Sequence, residues 1–340
     1  MVSDNMRNNL MKNILVLFFV PFLLTSCSKD NSVEFVPYIG HPLNDTTWAT
    51  NVPMDASAYR LSQEFSYTPL VDSFNASSTS VVKFSNSVEV TIPSGSCVFA
   101  NGNAVSGNVK IELLVLNKKG DYMRFARPTT SYSSILESAG SFYINTSQNG
   151  SEVLLRSNKR AIINFIDSSP VNNMLVFYGQ HNPVPPLPIG TNPLFTWMKA
   201  TDSSRVTTFT RVNTSGVVKG YNLFSGKFDW ITCERFRDTS MPRTKITTLL
   251  PANYTNTNTT TYAVFKHSNT IVQLLGDPES RTFFAAGIPI NEEILLVSIS
   301  LRGTEFYLGT KEIVSSDNMV VSMTPELKTK SEIEFALDNL

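Results

Sequence analysis

The chain has 340 residues, enough for about two ordinary domains. Its 28 basic residues balance 28 acidic ones and only 16% of positions are charged, so no basic excess exists to meet phosphates, which argues against a nucleic-acid partner. Hydrophobic residues at 41%, with 22 Phe and 11 Tyr, exclude a disordered chain.

The first element is an apolar run of about eleven residues, Ile14 to Leu24, preceded by Arg7 and Lys12. That length suits the core of a signal peptide and falls short of the ~20 residues that span a bilayer. Leu24, Thr25, Ser26 and Cys27 follow directly and resemble the lipobox of bacterial lipoproteins, an apolar residue and two small ones before a cysteine. The resemblance implies that residues 1–26 are removed, that Cys27 is lipidated, and that its acyl chains anchor the protein. Residues 27–75 then read as a tether and N-terminal segment. Ser28-Lys29-Asp30 is similar to the surface-export signals of Bacteroidota lipoproteins, and equally to a plain solvated linker.

From residue 76 onward, short β-branched and aromatic runs alternate with Gly, Asn, Ser and Pro, the pattern of strands joined by tight turns. Val81–Phe84, Val88–Ile92, Val109–Val115, Ser141–Thr146, Glu152–Leu155, Ala161–Phe165 and Met174–Tyr178 belong to the first group. Asn101-Gly102 and Asn149-Gly150 are hairpin dipeptides within it. A proline-rich stretch, Asn182 to Pro193, cannot sit in a ladder and reads as a stiff connection. The second group comprises Arg205–Val212, Val217–Phe224, Phe228–Cys233, Lys245–Leu250, Tyr262–Lys266, Ile271–Leu275, Thr282–Ala285, Ile294–Leu301, Glu305–Leu308 and Met319–Met323. Asn253–Thr261 reads as a polar, solvated loop. Ser331–Leu337 is the one expected helix, capped by Ser331 with Glu334 completing a capping box. The expected fold is all-β, with two β-sandwich domains at 76–200 and 201–340 and a short C-terminal helix.

Three cysteines occur. With Cys27 lipidated, Cys97 and Cys233 remain, and a bridge between them would have to cross the two domains, so buried free thiols are the expected state. The three histidines, His41, His181 and His267, show no metal-ligand spacing, and no phosphate loop, dinucleotide fingerprint or nucleophile elbow occurs, so no cofactor is implied. Asp229, Cys233 and Glu234 share a strand with Trp230. Alternation puts Trp230, Thr232 and Glu234 on one face and Asp229, Ile231 and Cys233 on the other. This reads as a half-buried strand whose Trp packs in the core and whose Glu234 and Arg235 reach solvent. Trp48 and Trp197 are candidate stacking faces for a ligand.

Val90–Phe99, Asn101–Val105 and Gly107–Glu112 resemble the opening of ZU-type β-sandwich modules of ankyrins and netrin receptors, with Ser138–Ile144 similar to later strands of the bacterial form. Phe228–Phe236 resembles a Trp-Ile-Asn-Cys-Asp-Arg-Phe signature of uncharacterised Bacteroidota lipoproteins, with Thr232 and Glu234 in place of Asn and Asp. The resemblance implies no catalytic residues and a scaffold or binding role. Together these observations predict a non-enzymatic, lipid-anchored protein with a structural or binding role at the outer membrane, on its periplasmic or cell-surface face, and with a protein or glycan partner. A glycan-binding accessory of a polysaccharide-uptake system is the alternative. An envelope hydrolase would need a histidine brought to an acid or thiol by the fold.

Overall fold

The computed structural model describes residues 42–85, 87–181, 195–213, 216–237 and 240–340. The expected signal peptide, the box from Leu24 to Cys27, His41 and the proline-rich stretch lie outside the described residues.

Among the described residues, twenty-two strands carry the fold. The first eleven are β1 (Leu70–Asn75), β2 (Ser80–Lys83), β3 (Glu89–Ile92), β4 (Cys97–Phe99), β5 (Asn108–Leu116), β6 (Thr130–Ser131), β7 (Ser134–Gln148), β8 (Ser151–Leu155), β9 (Ala161–Ile166), β10 (Leu175–His181) and β11 (Phe195–Lys199). The rest are β12 (Arg205–Asn213), β13 (Gly216–Ser225), β14 (Asp229–Phe236), β15 (Arg243–Leu249), β16 (Thr259–Phe265), β17 (Ile271–Asp277), β18 (Thr282–Pro289), β19 (Glu293–Arg302), β20 (Glu305–Val314), β21 (Met319–Ser322) and β22 (Glu326–Lys328). Three α-helices accompany them among the described residues, α1 (Ser57–Phe65), α2 (Lys119–Arg124) and α3 (Lys330–Asp338), with a short 3-10 turn at Pro42–Asn44.

The chain is all-β with a short C-terminal helix, as expected. The first sheet runs β1-β5-β7-β14-β10-β11, the second β12-β13-β9-β3-β2, and the third β21-β15-β18-β17-β16-β19-β20-β22. Period-two alternation aims Ile111 and Leu113 of β5, Phe142 and Ile144 of β7, and Ile231 and Cys233 of β14 at one core. Val90, Ile92, Ile163, Phe165 and Leu223 of the second sheet meet them there, closing a sandwich. The opposite face of the first sheet is also covered. Leu114, Leu116, Phe177, Trp197 and Trp230 pack against Leu61 and Phe65 of α1, Tyr122 of α2, Leu337 of α3, and Tyr262 and Ile299 of the third sheet. Burial on both faces explains why β5 alternates and then runs continuously apolar. The third sheet has its own core, including Phe265, Leu274, Phe283, Ile294 and Leu296. Its two ends approach each other: a Cβ at Gly309 of β20 would come within 3.2 Å of Met323 Sδ, just beyond β21 at the opposite end of the strand order.

Four expectations change. Sheet membership switches after Phe236, and not at residue 200: β12 and β13 belong to the second sheet and β14 lies in the middle of the first. A strand's own pattern shows which face is apolar but carries nothing about which distant strand pairs with it. Within 27–75, read as a tether and N-terminal segment without elements of its own, α1 and β1 form, since Ala58, Leu61 and Phe65 bury one helical stripe and β1 adds to β5. Helix α3 is capped by Thr329, whose hydroxyl accepts from Glu332 N at 3.2 Å while the Glu332 carboxylate accepts from Thr329 N at 2.7 Å. The motif Thr-x-x-Glu precedes the Ser331-x-x-Glu334 match by two residues, and the earlier one is used.

The fourth change concerns the polar run 253–261. Thr255, Asn256, Asn258, Thr259, Thr260 and Thr261 are all buried, and β16 begins at Thr259. Asn256 spans back to the N-terminal segment, donating to Ala49 O at 2.6 Å and accepting from Ala49 N at 3.0 Å. Asn258 closes its own turn by accepting from Thr255 N at 2.9 Å. These amides are buried because each has a main-chain partner in place of water.

Candidate functional site

A polar recess arises from strand bookkeeping along β7. One side of this fifteen-residue strand is paired with β5 from Lys110↔Ser147 to Leu116↔Ser141. The other side meets β14 as far as Asp229↔Ile144, and β8 only from Ser147↔Glu152. Asn145 and Thr146 therefore face a gap between two strand ends. The gap opens as a recess of about 330 Å³, walled by Tyr143, Asn145, Glu152, Lys227 and Asp229.

Alternation turns Tyr143 away from the sandwich core while its neighbours Phe142 and Ile144 face inward. Its ring leans on Trp230 with centroids 5.1 Å apart. Burial raises its hydroxyl pKa, and the carboxylates of Asp229, Glu112 and Glu152 raise it further. The phenol therefore stays protonated and offers a donor surrounded by acceptors. Glu112 is held below the ordinary carboxylate range first by Lys110, bonded at 2.5 Å, and then by Asn145, which donates at 2.7 Å. Asp229 has a φ of 87°, a left-handed conformation that costs a non-glycine residue free energy and turns the chain into β14. The recess combines an aromatic wall, carboxylate acceptors, an amide and one ammonium. Such a set can stack against and hydrogen-bond a small polyhydroxylated ligand.

The residues singled out from the sequence fall elsewhere. Trp197 is fully buried and its indole N–H donates to Pro128 O at 3.0 Å, so its stacking face belongs to the core and not to a ligand. Trp48 is half-buried against Phe283, centroids 5.0 Å apart, at the margin of the third core. Cys97 and Cys233 are free, buried thiols in the same core, so they do not stand in separate domains. Burial pushes both thiols up, away from the reactive thiolate. His181 keeps much of its surface in solvent, and the partial desolvation of its ring, then the nearby Arg127, lowers its pKa. His267 is exposed and approaches Glu293 Oε1 at 3.4 Å.

Glu234 departs most from expectation. It was expected to reach solvent and instead has no exposed surface. Neither carboxyl oxygen has a hydrogen-bond partner in proper geometry. Burial pushes its pKa up to about 8, and the nearby hydroxyls of Thr232 and Ser138 pull it back only in part. At neutral pH this carboxyl is mostly protonated. Its exposure was misjudged because neighbours that enclose it, Tyr122 of α2 and Ser138 of β7 among them, come from about a hundred positions earlier in the chain.

Tyr143 and Asn145 were not singled out from the sequence. The usable signal was their shared outward parity on a strand leading to the Asn149-Gly150 turn, which places them at a sheet end. No family model, curated protein or solved structure matches this chain.

Proposed function

We propose that the protein is a non-enzymatic, lipid-anchored component of the outer membrane with a binding role. The observation that carries this reading is the sequence Leu24-Thr25-Ser26-Cys27 at the end of an eleven-residue apolar core. The chain from Pro42 onward packs as one unit that such an anchor would hold at the membrane. The likeness of residues 80–180 to ZU-type modules supports a scaffold or binding role in place of catalysis. Replacing Cys27 with Ala and fractionating the envelope tests the anchor. The variant is expected to leave the membrane fraction and to lack the mass of the acyl chains. Unchanged partition with outer membranes overturns the reading.

A second reading, recognition of a glycan, is favoured by the recess at Tyr143. An aromatic wall beside carboxylates and an amide is the chemistry that holds a sugar ring, stacking its C–H face and accepting from its hydroxyls. A glycan array probed with the purified chain is expected to give hits that Tyr143→Ala and Asp229→Asn each remove. An array without hits, or hits that survive both substitutions, overturns it.

A further inference from the structure

Glu234 sits mid-sheet on the face turned toward the helices, in register with Ser138 of β7 and Leu175 of β10. A ring of hydroxyls stands beside it. Tyr122 OH, on α2, lies 2.7 Å from Ser138 Oγ and accepts from Ser141 Oγ at 3.2 Å, and Ser141 Oγ lies 2.6 Å from Thr232 Oγ1. All five side chains are buried.

The walls differ in how they are held. β7, β10 and β14 are fixed by ladders on both sides. α2 has six residues, too few to hold a helix by itself. It is tied down by Tyr122, which donates to Leu116 O at 3.1 Å, and by Arg124, which donates to Asp338 Oδ1 at 2.6 Å and to Glu334 O at 2.8 Å. An ionised carboxylate in this enclosure must be hydrated or paired. Among the described residues no cation pairs with it: on α2, Lys119 donates to Lys266 O at 2.8 Å and Arg124 to Asp338 at 2.6 Å. From α2 come Tyr122 and Asp121, whose carboxylate accepts from Lys118 N at 3.0 Å. From β7, Glu137 is engaged with Arg235 at 2.8 Å. From β10 comes Leu175, from the loop after β16 the amide Asn269, which donates to Ser138 O at 3.2 Å, and from its own strand Cys233 on the opposite face. Water therefore has to enter, and of these walls α2 is the one held by no strand ladder, only by the side-chain bonds of Tyr122 and Arg124 and by that of Lys119 to Lys266 O.

We propose that Glu234 is a proton-held latch for α2. With the carboxyl protonated, Tyr122 stays seated on the hydroxyl ring. When the proton leaves to bulk water, α2 lifts from the sheet and admits water to the carboxylate. The unneutralised burial places this transition in the mildly alkaline range.

Trypsin reports the opening, because Lys118, Lys119 and Arg124 bracket α2. The full chain is digested from pH 6 to 9, with rates corrected by an unfolded reporter peptide. Cleavage at these three sites is expected to rise about tenfold per pH unit to about pH 8 and then level, as the ionised fraction does. Glu234→Gln is expected to remain resistant throughout. Equal pH profiles for the two proteins, or a wild type still resistant at pH 9, overturn the latch. Hydrogen exchange of the wild type over the same range guards against a variant that fails to fold. Loss of protection confined to residues 116–125 supports the latch, and loss spread equally over β7 and β14 overturns it.

Discussion

A Cβ on Gly120 would collide with the main-chain carbonyl of Leu337. Helix α2 thus rests backbone to backbone on α3, and Arg124 closes the same contact through Asp338. Gly120→Ala must push the helices apart and disturb the seating of Tyr122. The expected loss is about 2–3 kcal/mol in a urea titration, in the range of overpacking a filled interior. A midpoint equal to that of the wild type would show that α2 and α3 do not share this contact in solution.

Stability should fall as pH rises through neutrality. The Glu234 carboxyl has a folded pKa of about 8 against an ordinary 4.5, so the folded state binds this proton more tightly than the unfolded chain does. Its contribution is complete below the ordinary value and is lost progressively as pH rises to the folded value. The loss is on the order of 5 kcal/mol across that window. Glu234→Gln should flatten the pH dependence of the denaturation midpoint between pH 5 and 8. The same slope in both proteins would refute this.

Inside the curled third sheet, Thr261 and Ser298 are cross-strand partners, and each has a buried hydroxyl without a hydrogen bond. An unsatisfied buried hydroxyl costs about 1–3 kcal/mol, so removing one while keeping its shape should be neutral or favourable. Thr261→Val is expected to raise the thermal midpoint or leave it unchanged. A marked fall would mean that an ordered water satisfies these groups.

Asn256→Ala is expected to act in the opposite sense. Its amide makes both hydrogen bonds to the Ala49 main chain, and Gly276 is without a side chain where a Cβ would stand 2.5 Å from Asn256 Cβ. Losing both bonds at a buried site should cost about 2–3 kcal/mol and free the segment around Ala49. Faster hydrogen exchange at residues 46–50, read by mass spectrometry, checks this.

Cys97 and Cys233 should resist thiol reagents in the native protein and react in denaturant as two free thiols. Both are buried and their thiolates are disfavoured. Rapid labelling of either without denaturant would contradict the packing.

Much of this architecture was legible locally. Alternation in β3, β5, β9 and β14 identified the strands and the inward residues, because a strand's two faces are written in every second side chain. The Ile333–Leu337 stripe revealed α3 for the same reason, although its cap was placed two residues late, at Ser331 in place of Thr329. Exposure was harder to read. Trp197, Glu234 and the run Thr255, Asn256 and Asn258 to Thr261 look like surface or site residues from composition, and all are buried by elements remote in the chain. The recess at Tyr143 was invisible because it is a mismatch between where β14 stops and β8 starts.

By itself the sequence determined an all-β chain, the position of its hairpin turns and the apolar stripe of its C-terminal helix. These depend on neighbours within a few residues. Only the tertiary structure decided that β14 completes the first sheet, that this sheet is covered on both faces, and that a carboxyl is sealed beneath α2. Pairing and burial depend on which distant segments meet, and a period-two pattern is the same whichever partner fills the other side.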